Sequence, residues 1–133
     1  MSENDIKKEL LISYRLEKAR DTLQDAHLLM DQGGSPASII NRAYYAMFYA
    51  VSAILTTLGM EPSKHSGVIA LFDQYFVKSG EFPIAMSKAL HKAFDLRQIG
   101  DYREFIEFDE EQAQEIIDLT DQFVEKVEEY FAR

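Results

Sequence analysis

Apolar positions along the chain recur at spacings of three and four, the period of an α-helix with one buried face. Leu16, Ala19, Leu23, Ala26 and Met30 make one such stripe, within a first helix expected from about Ile6 to Gln32. Gly33-Gly34 stops it, and Ser35-Pro36 reads as N-cap and first-turn proline of a second helix. That helix runs to Leu58, with Gly59 as the residue past its end, and is apolar on several faces, which predicts a central position. A loop over Gly59–Ser63 leads to a third helix beginning near Lys64–Gly67 and carrying Val68, Leu71, Phe72, Tyr75 and Phe76, closed by Ser79-Gly80. A fourth starts around Pro83, buries Met86, Ala89, Leu90, Ala93, Phe94 and Leu96, and ends about Ile99–Tyr102. Asp109 with Gln112 is a capping-box signal for the last helix. There Ala113, Ile116, Thr120, Phe123, Val127 and Tyr130 repeat as a bundle seam. No strand pattern, repeat or linker interrupts this series. The expected fold is all-α: one domain over residues 1–133, an up-down bundle of four to five helices with antiparallel neighbours.

Composition narrows the chemistry. With 133 residues, the chain is long enough to bury about two thirds of its unfolded surface. There are no cysteines, so disulfides, thiolate zinc sites and thiol catalysis are excluded. There is no uncharged apolar run of about 18 residues, so no membrane span is expected. The polar, acidic Met1–Asp5 does not resemble an export signal, and a cytoplasmic location is expected. The net charge of −9 is uneven: residues 107–133 hold ten acids against Lys126 and Arg133. An acidic chain is a poor general binder of DNA, since phosphate neutralisation supplies most non-specific affinity. A local arginine cleft can still take RNA or a nucleotide. The acidic stretch itself reads as a solvated helix face.

Two segments carry the chemistry. Arg42, Tyr45 and Tyr49 share one face of the second helix, with Tyr44 and Phe48 in the adjacent stripe, where both read mainly as core. Arg97 and Asp101 stand at i and i+4, followed by Tyr102 and Arg103. An exposed pair at that spacing is worth only a few tenths of a kcal/mol. Next to a second guanidinium and a phenol, it becomes a candidate phosphate site, because arginine forks suit phosphate oxygens. Of the three histidines, His65 lies near a helix start and has the best prospect of a role. His27 and His91 read as surface residues, and no two histidines are spaced as metal ligands. Neither a metal nor a cofactor is expected.

Asn41-Arg42-Ala43-Tyr44-Tyr45-Ala46, Gly59, His65-x-Gly67-Val68, Phe72 and Arg97-x-x-Gly100-Asp101-Tyr102, in this order and spacing, resemble the HEPN domain family (higher eukaryote and prokaryote nucleotide-binding domain). The likeness is to its small stand-alone prokaryotic members, from about Leu16 to Tyr130. It implies a helical bundle, a two-fold homodimer, and pairing with a minimal nucleotidyltransferase in a toxin–antitoxin-like module. Many HEPN proteins are metal-independent ribonucleases, with an arginine, four to six residues and then a histidine forming a composite site across the dimer. This chain departs from that motif. After Arg97 and four intervening residues comes Tyr102, then Arg103 and Glu104. A phenol with pKa near 10 is a poor base at neutral pH.

Three functions follow. In the first, a binding module, Arg97 and Arg42 contact phosphate, Asp101 orients Arg97, Tyr45 or Tyr102 stacks on a base, and His65 lines the site. In the second, a diverged ribonuclease, Arg97 and Asp101 act catalytically with Tyr102, or with His65 brought in by the fold. In the third the cluster is a structural network at the bundle end. Nine Phe and seven Tyr in 133 residues add weak support for a dimer.

Overall fold

Among the described residues there are five helices: α1 (Glu3–Asp31), α2 (Pro36–Thr56), α3 (His65–Phe72), α4 (Ile84–Tyr102) and α5 (Glu110–Ala132). A single π-helical turn, Asp73–Val77, continues α3. The computed structural model describes residues 1–102 and 107–133, and of Tyr102 the backbone alone. Among the described residues there is no strand, and no helix is long and apolar enough to cross a membrane.

Local signals set most boundaries. Gly33 adopts φ 73° and Gly59 φ 70°, conformations that only glycine takes without strain. Around each, the next residue donates back to the helix: Gly34 N–H to the Leu29 carbonyl at 2.7 Å, and Met60 N–H to that of Leu55 at 3.2 Å. Ser35 caps α2 through the Ser38 N–H, and Asp109 with Gln112 forms a complete capping box on α5.

Three boundaries differ from expectation. Helix α1 begins at Glu3 rather than Ile6, because Ser2 and Asp5 form a reciprocal capping box ahead of the first apolar residue. Helix α2 ends at Thr56 rather than Leu58, and Thr57, Leu58 and Gly59 tighten into bonds reaching three residues back. The third helix passes into the π turn, where Lys78 N–H reaches the Asp73 carbonyl at 2.9 Å. Apolar spacing carries no sign of it, since Phe72 and Phe76 still face inward.

Helix α2 is central and packs against each of the other four. Its most extensive pairing is with α1, across a connection of only four residues, so the two run antiparallel. Small residues line both: Ala19 and Ala26 on α1, and Ala43, Ala46, Ala50 and Ala53 on α2, are all fully buried. Ile40, Tyr44, Met47, Val51, Ile54 and Leu55 fill the rest of the α2 surface. Each large apolar side chain so buried contributes roughly 1.5–3 kcal/mol. The buried face of α5 is wider than the seam read from sequence, for Ile117 and Val124 are also at 0% exposure. An aromatic cluster of Phe72, Phe76, Phe82, Phe123 and Tyr130 closes one end. The acids of α5 partly serve as ties: Glu128 pairs with Arg20, Asp121 meets His27 Nε2 at 2.7 Å, and Glu115 pairs with Lys92.

Candidate functional site

The C-terminal half of α4 brings Arg97 against the middle of α2. One Arg97 Nη2–H donates to the Tyr45 hydroxyl at 3.1 Å. Its Nε stands 2.8 Å from Asp101 Oδ2, the i,i+4 pair that the spacing predicted, although the N–H is not aimed along that contact. The guanidinium carbon lies 5.4 Å from the centre of the Tyr45 ring and 5.8 Å from that of Tyr44, within cation–π range. The Arg97 side chain is only 16% exposed, against 35% for Asp101. Arg42 approaches the Tyr45 ring as well, at 5.3 Å. Arg42, Asp101, Asn41 and Ser38 line an open hollow of about 410 Å³ between the end of α1, the start of α2 and the end of α4.

Tyr44 is core and more than core. Its ring has no exposed surface, yet its hydroxyl reaches His65 Nδ1 at 2.8 Å. Burial pushes the Tyr44 phenol far above its usual range, with the Arg97 charge opposing, so it stays protonated. It can donate to a neutral Nδ1 or accept from a protonated one. His65 is the first residue of α3, half-buried, and its ring stacks on Phe48 with centroids 4.3 Å apart. Burial chiefly, and the Arg97 charge second, lower its pKa. A neutral imidazole is therefore favoured at neutral pH.

The lowered pKa has a thermodynamic consequence. Between the folded pKa of His65 and its unfolded value of about 6.5, the unfolded chain binds more protons. Stability is thus fully present above about pH 6.5 and falls as the pH drops below it. Melting curves from about pH 7.5 down to about pH 5 should show a smaller loss for His65→Phe, which keeps the stacking, than for the parent. An equal loss in both would remove His65 as the cause.

Asn41 and Gly100 stand in the sequence motifs quoted above, but the sequence assigned neither a role. Asn41 Oδ1 accepts from both Nε and Nη2 of Arg42, at 3.2 and 3.0 Å, and so aims that guanidinium. Adjacent residues do not share a helix face, so spacing gave no sign of it. Gly100 serves contact: a Cβ there would meet the Phe108 ring at 2.9 Å. Gly100→Ala should cost about 1 kcal/mol by overpacking, but stabilise by up to about 1 kcal/mol once Phe108 is alanine. A double-mutant cycle read by urea unfolding tests that change of sign.

Among the described residues, no three His, Asp or Glu side chains are grouped to hold a metal. His91 pairs with Asp73 at 2.6 Å and His27 with Asp121, both away from the Arg97 cluster. The side chain of Tyr102 and the whole of Arg103 lie outside the described residues.

A family profile described as the HEPN domain matches residues 12–130. The chain belongs to the HEPN domain family. A "UPF0332 protein" of Thermotoga maritima is 41% identical over 121 residues, 91% of each chain. Two relatives in Methanocaldococcus jannaschii carry names that begin "Putative toxin". One is 32% identical over 86% of this chain and 78% of its own length; the other is 33% identical over 92% and 89%. In this HEPN domain the residue pairing that spacing predicted, Arg97 with Asp101, is joined by Tyr45 and Arg42. His65, 32 residues before Arg97 in sequence, shares its aromatic surround.

Proposed function

We propose that this HEPN domain binds a phosphate-bearing ligand, RNA or a nucleotide, at the Arg97 cluster, as one component of a toxin–antitoxin-like pair with a nucleotidyltransferase. The carrying observation is the state of Arg97. It is largely buried against Tyr45 and Asp101, which hold its guanidinium beside the open hollow that Arg42 and Asp101 line. A guanidinium so held suits phosphate oxygens better than an ammonium would. Arg42, held by Asn41, faces the adjoining hollow and supplies a second cation. Tyr45 is the aromatic surface for a base. The names of the Methanocaldococcus relatives support the toxin-like setting. A cytoplasmic, homodimeric protein of one domain is part of the same proposal. Sedimentation equilibrium at micromolar concentration should give twice the chain mass of 15.3 kDa, and a monomer would refute the dimer.

One observation favours a second reading, a metal-independent ribonuclease. His65 is kept neutral beside the cationic Arg97, and its Nδ1 is fixed by the Tyr44 hydroxyl. With Nδ1–H donating to the Tyr44 oxygen, Nε2 is the proton acceptor for a ribose hydroxyl, with Arg97 steadying phosphate charge. Incubation of total RNA with the purified protein in EDTA separates the two. Cleavage that is lost in Arg97→Ala and His65→Ala supports the enzyme. Binding without cleavage supports the module.

A further inference from the structure

Arg15 stands one turn before Ala19, the first buried residue of α1, so the helix turns it toward α2. Its Nη1 donates to Thr56 Oγ1 at 2.6 Å and to the Ser52 carbonyl at 3.4 Å, on the last turn of α2. Thr56 spends its own hydroxyl hydrogen on that same carbonyl, at 2.7 Å, so its oxygen is free to accept from Arg15. The Arg15 Nη2 donates to Glu61 Oε1 at 3.0 Å, in the connection between α2 and α3. One guanidinium thus ties α1, the end of α2 and that connection, a task for a rigid fork of donors rather than a point charge. The Arg15 side chain is 23% exposed, while Glu61 is largely in solvent.

The connection leads straight to His65. Pro62 follows Glu61, and its Cβ lies 3.4 Å from where a Cβ on Gly67 would stand, so Pro62 packs on the first turn of α3. Lys64, at the N-cap position, makes no side-chain bond to that turn. With eight residues, α3 is too short to hold its shape alone in water, and Gly67 weakens its first turn further. The place of that turn is therefore set by what it packs against: the core through Val68 and Ile69, and the connection through Pro62. His65 heads the turn, with its ring 4.3 Å from Phe48 and its Nδ1 2.8 Å from the Tyr44 hydroxyl.

We infer that Arg15 is a positioning residue for His65: through Glu61 and Pro62 it sets the first turn of α3 so that the imidazole lies on Phe48 with Nδ1 at the Tyr44 hydroxyl. The inference takes up the reading of His65 as a member of the Arg97 site, but it concerns the placement of the ring and is tested without a ligand. Among the described residues Arg15 bonds to Ser52, Thr56 and Glu61 and not to His65. The titratable groups facing the ring are Tyr44 and Tyr45 from α2 and Arg97 from α4, and the charge that acts on it is that of Arg97.

The test is a proton NMR titration of the imidazole Cε1–H signals, from about pH 5 to about pH 8, which follows all three histidines at once. In the parent, the His65 signal should stand upfield, shielded by the Phe48 ring, and titrate below the ordinary 6.5. Arg15→Gln and Glu61→Gln should each move it downfield and raise its midpoint, with His27 and His91 unmoved. Glu61→Gln separates placement from charge. Loss of a carboxylate would by charge alone lower the midpoint, whereas a freed, rehydrated ring titrates higher. Amide exchange at Val68, whose N–H meets the Lys64 carbonyl at 3.1 Å, should quicken about fivefold in both variants, the upper end for a pair with one exposed partner. Exchange at Val124 of α5 should not change. Arg15→Lys should restore part of the ring shift, because an ammonium can meet Glu61 or Thr56 without the fork that holds both. A His65 signal with the parent's shift and midpoint in Glu61→Gln, whose exposed position leaves the fold intact, refutes the positioning. Movement of all three histidine signals together also refutes it, because the bundle then loosens as a whole. A displaced ring with unchanged RNA cleavage upholds the positioning and removes His65 from the chemistry.

Discussion

Arg97→Ala is expected to reduce affinity for RNA or nucleotide about a hundredfold, or about 2.7 kcal/mol, while lowering folding stability by only about 1–2 kcal/mol. The small stability effect follows from the contacts. The Asp101 partner is on the same helix and about one third exposed, a setting in which ion pairs contribute a few tenths of a kcal/mol. The bond to the Tyr45 hydroxyl adds what a charged donor usually does, about 1.5–3 kcal/mol when desolvated, less here because Tyr45 remains partly accessible. The large binding effect follows from geometry, because a phosphate would lose a fork held by two side chains. Arg97→Lys should recover only part of the affinity, since the charge returns without the fork. Titration calorimetry and urea unfolding on the same preparations decide the matter. A loss of about 3–5 kcal/mol of stability with unchanged affinity would mean the cluster is a structural network at the bundle end.

Phe72→Ala should destabilise the fold by about 3–5 kcal/mol, a large fraction of the roughly 5–15 kcal/mol typical of such a chain. Phe72 has no exposed surface, and its ring centre lies 5.7 Å from those of both Phe82 and Phe123 and 6.4 Å from that of Phe76. Truncation removes both the transfer energy of the ring and its aromatic contacts, and the surrounding rings cannot collapse fully into the space. The change also reaches the site. Val68, Ile69 and Phe72 are the buried anchors of the eight-residue α3, whose first residue is His65. A loss of less than about 1 kcal/mol in unfolding free energy, read from urea curves, would refute the cavity argument.

The elements were legible for a local reason. Gly33, Ser35, Gly59 and Asp109 act on the turn that contains them, so their effect can be read from a few neighbouring residues. The start of α1 was misplaced because apolar periodicity is silent in Glu3–Asp5, although Ser2 and Asp5 cap the helix there. Family membership was legible through the Arg42–Tyr45 block and the Arg97–Tyr102 block, which the HEPN profile over residues 12–130 bears out.

By itself, then, the sequence determined the helices, the inward faces, the acidic bias of residues 107–133 and the pairing of Arg97 with Asp101. All of these depend on residues within a turn or two of one another. The tertiary structure alone decided what those residues meet. It stacked His65 on Phe48 and hydrogen-bonded it to Tyr44, 21 positions away, and it laid Arg97 on Tyr45 across 52 positions. It also set Phe108 against Gly100 and carried Lys18 over Tyr49. Helical periodicity says which way a side chain points. It does not say which neighbour waits there, because that depends on how far each helix slides along the next before its ridges lock.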